Sequence, residues 1–278
     1  MATNLLRLVS LACAGLVGAG AASSVARADL LASLSSGPPA EVSLIAGWRQ
    51  ADGSHVAAIE IRMRPGWYTY WRVPGDAGIA PEFDWSGSRN LASVAYEWPH
   101  PEVIETAGMR SFGFYDELVL PIRLEPQRRG EAIEASLELF FGICEQVCIP
   151  AEVRVEAVLP PSAAPVGRDR IGAAQAARAH GPGEAGVINA SCGITAGTDG
   201  AEIAATVEFA APPLAGQVVV FESARGDVGI GRSRTQQSGS TLAARAALAG
   251  GGALDRSDLR LTVIGPERTV DIPGCAPG

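Results

Sequence analysis

The feature that most constrains the fold is a succession of short segments with a side-chain period of two. "EVSLIAGWR", "HVAAIEIRM", "LVLPIRLEP", "AIEASLELFFGIC" and "AEVRVEAVLP" alternate apolar and polar residues, or run apolar for a few positions. On an extended chain successive side chains point to opposite faces, so this pattern gives strands with one dry face. Turn chemistry separates them: "ADGS" at 51–54, "RPG" at 64–66, "VPGDAG" at 73–78 and "PQRRGE" at 126–131. Short strands at such spacing predict an antiparallel sandwich over about 40–160. "PPSAAPVG" (160–167) then reads as a linker, and the Ala-rich "RDRIGAAQAARAH" (168–180) as a short helix ended by "GPG". A second β-rich block follows over about 186–278. Its candidate strands are "GVINASCGIT", "AEIAATVEFA", "QVVVFES", "TLAARAAL" and "LRLTVIG". The expectation is an all-β chain of two tandem sandwiches: 29–160, a linker with a short helix over 161–185, and a smaller sandwich over 186–278.

Residues 1–28 read as a cleavable export signal. Arg7 gives a positive start, Leu11 to Ala22 is apolar, and Ala26 and Ala28 supply the small residues of a cleavage site after Ala28. The apolar run is shorter than the roughly 20 residues a membrane span needs, and no later stretch is long and apolar enough to insert in a bilayer. The expected compartment is the periplasm. The formal net charge is −8, and every basic residue is Arg. An acidic chain without a basic cluster argues against nucleic acid as a partner.

Four cysteines remain after the signal: Cys144, Cys148, Cys192 and Cys275. An oxidising compartment allows two disulfides. On an extended strand residues i and i+4 lie roughly 13 Å apart, whereas bonded cysteines need Cα atoms within about 7 Å. If Cys144 and Cys148 are joined, "EQV" must therefore be the tip of a tight hairpin or a single helical turn. Such a small ring restrains the unfolded chain by only about 2 kcal/mol, against about 4.5 kcal/mol for the loop that Cys192–Cys275 would close. The long-range pair makes the better staple and the short pair the better site. The spacing alone admits a redox pair, a plain staple or, with a third donor, a Cu(I) site. Met63, Met109, His55, His100 and His180 do not cluster with the pair, and no zinc ligand set is visible. "GWYTYWRVPGDAG" reads as a packed aromatic turn, with Trp67, Tyr70 and Trp71 filling the core or its edge and Phe112 and Phe114 also in the core.

Taken together, "GWYTYWRVPGDAGIAPEFDW" (66–85), "YEWPHP" (96–101), "FGFYDELVLPIRL" (112–124) and "LELFFGICEQVCIPAEVRVEAVLP" (137–160) resemble the N-terminal periplasmic domain of the DsbD and ScsB thiol:disulfide interchange proteins. Residues 168–278 are more weakly similar to the second sandwich of ScsB-type proteins. The resemblance implies immunoglobulin-like sandwiches and a thiol:disulfide oxidoreductase without cofactor or metal. Its redox pair would be Cys144 and Cys148, with Cys148 forming the mixed disulfide and Cys144 resolving it. It also implies thioredoxin-fold periplasmic partners and a membrane electron donor. The chain ends at Gly278 without the family's membrane and thioredoxin domains, so the donor is expected on a separate polypeptide. Tyr68, Tyr70 and Tyr115 are implied site-lining residues. The family's aromatic cap falls on "ETAGMRSF" (105–112), which lacks the aromatic at its tip and leaves Met109 or Phe112 for the role. Glu145, a neighbouring negative charge, is expected to raise a thiol's pKa. The competing expectation is a non-enzymatic docking or copper-tolerance module whose disulfide is structural.

Overall fold

The computed structural model describes residues 39–197, 200–223, 228–249 and 258–277. The export signal, its cleavage point after Ala28 and residues 29–38 of the first block lie outside the described residues. The first block contains β1 (Ala40–Arg49), β2 (His55–Met63), β3 (Tyr68–Gly75), β4 (Glu82–Asp84), β5 (Ser93–Tyr96), β6 (Glu102–Thr106), β7 (Met109–Tyr115), β8 (Glu117–Glu125), β9 (Ile133–Cys144) and β10 (Cys148–Leu159). One sheet runs β1-β2-β8-β5; the other runs β10-β9-β3-β7-β6, with β4 also paired to β9. Their inner faces meet in one apolar core. Ile59, Leu120 and Leu124 come from the first sheet, and Trp71, Phe114, Leu137, Leu139 and Phe141 from the second.

The segment read as an aromatic turn is β3, in the middle of its sheet. Trp71 fills the core as expected, while Tyr70 points to the opposite face. The turn residues Pro74 and Gly75 come only at its far end, so the turn chemistry of "VPG" masked the strand before it.

After the first block comes α1 (Arg168–Ala176), the single helix among the described residues. The second block contains β11 (Val187–Gly197), β12 (Gly200–Phe209), β13 (Val218–Ser223), β14 (Gly229–Ile230), β15 (Arg234–Ser238), β16 (Thr241–Ala249), β17 (Leu259–Ile264), β18 (Thr269–Pro273) and β19 (Ala276–Pro277). They form a sheet β14-β16-β12-β11-β19, with β15 beside β16, and a three-stranded sheet β13-β17-β18. The fold is all-β, with immunoglobulin-like sandwiches.

The two blocks are not beads on a tether. On β13 the side chains of Val219 and Phe221 enter the second core, while Val218 and Val220, with Ile264 of β17, belong to the same apolar cluster as Trp71 and Phe112. The three-stranded sheet is thus dry on both faces over these residues. Arg72 of β3 reaches across the seam. Its guanidinium donates to Glu222 at 2.8 and 2.9 Å and to Thr262 at 3.2 Å, and lies 4.1 Å from the Trp71 ring centroid. Such a forked, mostly desolvated pair fixes orientation as well as energy. The stretch read as linker is bound down too. Ile171 of α1 is fully buried against Val56 and Ala58, and Arg170 bridges Glu60 and Glu117.

Candidate functional site

The site grows from the β9–β10 hairpin. Residues Glu145 to Val147 reverse the chain, so Cys144 and Cys148 face each other as the last pair of the ladder. Their Cα atoms are 4.2 Å apart and the sulfurs are joined. Cys144 is paired on its other side with Tyr68 of β3, and Tyr68 with Tyr115 of β7. Cys148, Cys144, Tyr68 and Tyr115 therefore form one row across four strands. Directly opposed residues share a face, and this one is turned away from the sandwich core.

Tyr70 lies two residues from Tyr68 on the same face. Its hydroxyl is 2.9 Å from Cys144 Sγ and 3.0 Å from Cys148 Sγ. A disulfide sulfur carries no hydrogen, so the phenol donates to the pair. Glycines make room for the ring. A Cβ on Gly142 would lie 3.0 Å from ring atoms of Tyr70, and one on Gly78 only 2.6 Å from them. Thr69 Oγ1 donates to the Gly142 carbonyl at 2.9 Å, which pins β3 against β9 at this level. Tyr68 meets Tyr70 edge-on, with centroids 5.5 Å apart, and leans on Tyr115 at 5.3 Å. Burial, then the neighbouring Tyr68, pushes the Tyr70 phenol above its ordinary pKa. Burial, followed by Tyr68 and Glu102, raises Tyr115 as well. Tyr70 thus remains a protonated donor throughout the neutral range.

The two sulfurs differ in access. Cys144 is 0 % exposed, packed with Tyr68, Tyr70, Ile104 and Ile79. Cys148 is exposed, as are its neighbours Val147 (71 %) and Ile149. Cys148 is thus the sulfur within reach from solvent, and Cys144 the shielded one. A leaving thiolate needs charge stabilisation in a desolvated place. The Tyr70 O–H, already aimed at Cys144, can provide it.

Tyr68, Tyr70 and Tyr115 are brought together here. The two cap candidates are not. Phe112 is buried on the opposite face of β7, in the core and edge-on to Trp71 at 6.2 Å. Met109 is exposed at the β6–β7 turn, six residues along the strand from Tyr115. That turn is held at the second block, where Arg232 donates to the Gly108 carbonyl at 2.8 Å and to Asp76 at 2.9 Å. Tyr70, not the 105–112 stretch, is the side chain in contact with both sulfurs. Gly142, Ile79 and Ile104 are additional to the residues read from sequence. Gly142 left a signal, since a glycine inside an apolar strand marks close approach; the two isoleucines left none.

The second disulfide joins Cys192 and Cys275 across 83 residues, with Cα atoms 5.6 Å apart. Cys192 is 1 % exposed and part of the second core. The bond holds β19 against β11, where Ser191 pairs with Ala276 and Cys192 with Pro277 in parallel.

Residues 39–160 match the family model for the N-terminal region of thiol:disulfide interchange protein DsbD. The N-terminal periplasmic domain of ScsB from Proteus mirabilis superposes with a TM-score of 0.62 at 19 % identity, covering 86 % of this chain and 92 % of that one. At that identity the likeness is one of fold. The DsbD N-terminal domain of Neisseria meningitidis in its reduced form aligns over 44 % of this chain and 90 % of its own, at 17 % identity and a TM-score of 0.25. No curated protein sequence matches the chain. No helix among the described residues is long and apolar enough to cross a membrane.

Proposed function

Residues 39–160 being a domain of the DsbD N-terminal type, we propose that this protein is a periplasmic thiol–disulfide interchange module that relays electrons through Cys144 and Cys148. Its partners are thioredoxin-fold proteins and a membrane electron donor. The observation that carries the reading is one disulfide with an exposed sulfur, a buried sulfur and a protonated phenol donating to both.

In the reducing direction a partner thiolate attacks Cys148 Sγ in line with the S–S bond. The partner–Cys148 bond forms, the Cys144–Cys148 bond breaks, and Cys144 departs as a thiolate that Tyr70 stabilises until it takes up a proton. The partner's second thiol, losing its proton, then attacks its own sulfur in the mixed disulfide, and Cys148 leaves and is protonated. Two electrons and two protons have moved from the partner dithiol, now a disulfide, to the cysteine pair. The reverse sequence reduces a partner disulfide, with Cys148 as nucleophile and Cys144 as the resolving thiol. The second block supports the first through the shared three-stranded sheet, and Cys192–Cys275 takes no part in exchange.

Graded reduction with dithiothreitol, mapped by alkylation and mass spectrometry, tests the reading. Cys144–Cys148 should open while Cys192–Cys275 is still intact. Opening of the long-range bond first would reverse the two roles.

A further inference from the structure

Ion pairing is uneven over the first block. Most of its carboxylates are engaged: Glu105 with Arg110, Glu125 with Arg123, Glu134 with Arg89, and Glu138 and Glu156 with Arg154. Asp84, Glu97 and Asp116 accept hydrogen bonds from Ser86, Gln175 and Gly66. Glu41, Glu82, Glu102, Glu145 and Glu152 have neither a cation nor a side-chain hydrogen bond among the described residues. Glu41 is on the edge strand of the other sheet. The other four surround the disulfide.

Strand register places them. Glu102 pairs with Gly113, which pairs with Tyr70, so Glu102 shares the face of the sulfurs. Glu82 and Glu152 flank Phe140 from either side, and Phe140 is four residues before Cys144 on the same face of β9. Glu145 is in the turn beside the pair. All four are exposed. Between them the surface is apolar, with Phe140, Tyr115 and the turn residue Val147 all exposed. The next arginine along this face of β10, Arg154, is already held by Glu138 and Glu156. Four uncompensated like charges repel one another, and a cation on a neighbouring strand would relieve them. The described residues hold many arginines, but none forms an ion pair with these four carboxylates.

We infer that this face is a docking surface for a protein whose reactive cysteine sits among apolar side chains inside a cationic rim. The inference rests on the exchange reading above and adds what the partner must look like. The apolar centre provides desolvation around the reacting sulfurs. The carboxylate ring steers encounter and disfavours anionic thiols, a use of charge for partner choice and on-rate. Four residues of strand, from Phe140 to Cys144, span roughly 13 Å, a scale suited to a compact interface.

The test uses the full mature protein and three dithiol peptides that differ only in the residues flanking their cysteines: arginine, glutamine or glutamate. Each peptide dithiol is oxidised to its disulfide as Cys144–Cys148 is reduced. At low salt the arginine peptide should react about tenfold or more faster than the glutamate peptide, and the ratio should fall towards one near molar salt, where the screening length is about 3 Å. Joint substitution of Glu82→Gln, Glu102→Gln, Glu145→Gln and Glu152→Gln should remove most of the ratio. The same charge change at Glu41, Glu134, Glu208 and Glu267 should preserve it. Equal rates for all peptides, or equal loss of the ratio in both quadruple variants, would overturn the inference and leave exchange standing. Failure of every peptide to open the bond would instead sink the exchange reading.

Discussion

The two disulfides solve opposite problems. Cys192–Cys275 spans 83 residues, has one sulfur-bearing residue in the second core, and ties the terminal strand β19 to β11. Cys144–Cys148 spans four residues and joins two residues that the β9–β10 ladder already holds face to face. The first contributes a long-range constraint that the two-residue β11–β19 pairing beside it supports only briefly. The second adds little constraint, and what surrounds it is chemical: an exposed sulfur, a buried one, and a phenol aimed at both. A cystine's role is therefore readable from what else would hold its ends together if it were cut.

Three experiments would break or sharpen that contrast. The largest effect should come from splitting the short pair. Cys148→Ser should lower exchange with a thioredoxin-fold disulfide by a thousandfold or more, because the remaining thiol is buried. Cys144→Ser should instead accumulate a mixed disulfide at Cys148, seen as a mass adduct on non-reducing gels. If the Cys148→Ser protein forms the adduct, the two sulfurs have been assigned the wrong way round. Next in size is stability. Removing Cys192–Cys275 by Ser substitution should cost up to about 4.5 kcal/mol in urea unfolding, and removing Cys144–Cys148 no more than about 2 kcal/mol. Equal losses would erase the distinction between staple and site. The smallest effect concerns Tyr70. Tyr70→Phe deletes a hydrogen bond to a developing thiolate, worth about 1.5–3 kcal/mol, so reduction by dithiothreitol should slow about tenfold to a hundredfold. The Cys144 thiol of the reduced protein should also titrate at higher pH. Gly142→Ala should act in the same direction by pushing the ring aside. An unchanged rate and titration would make Tyr70 a packing residue only.

Much of the scaffold was legible in the sequence because alternation is a local property. "HVAAIEIRM" is β2 end to end, and "AIEASLELFFGIC" contains β9, with Leu137, Leu139 and Phe141 inward and Phe140 outward. That a joined Cys144–Cys148 pair requires a turn between its members followed from the reach of an extended chain. What sequence did not resolve depends on register between distant strands. Tyr70 meets the sulfurs because β3 pairs with β9 at Thr69–Ile143, a match across 74 residues. The same pairing sends Trp71 into the core, though the two aromatics are adjacent. Phe112 went to the core and not the site because β7 presents alternate faces, and the cap assignment did not track that parity. "QVVVFES" did carry a signal: an apolar run without alternation belongs to a strand covered on both sides, which is where β13 sits. The uncompensated carboxylates have no local signature at all, since any glutamate's partner is chosen by the neighbouring strand.

That doubly covered strand bears on how the protein can be cut. A fragment ending near residue 160 would lack Val218, Val220, Ile264 and Ile171, and water would reach the apolar ground they cover. Such a piece would expose a sticky scar and be prone to self-association. The natural unit for expression, grafting or recombination extends to β19, however self-sufficient the sandwich bearing the Cys144–Cys148 bond looks on its own.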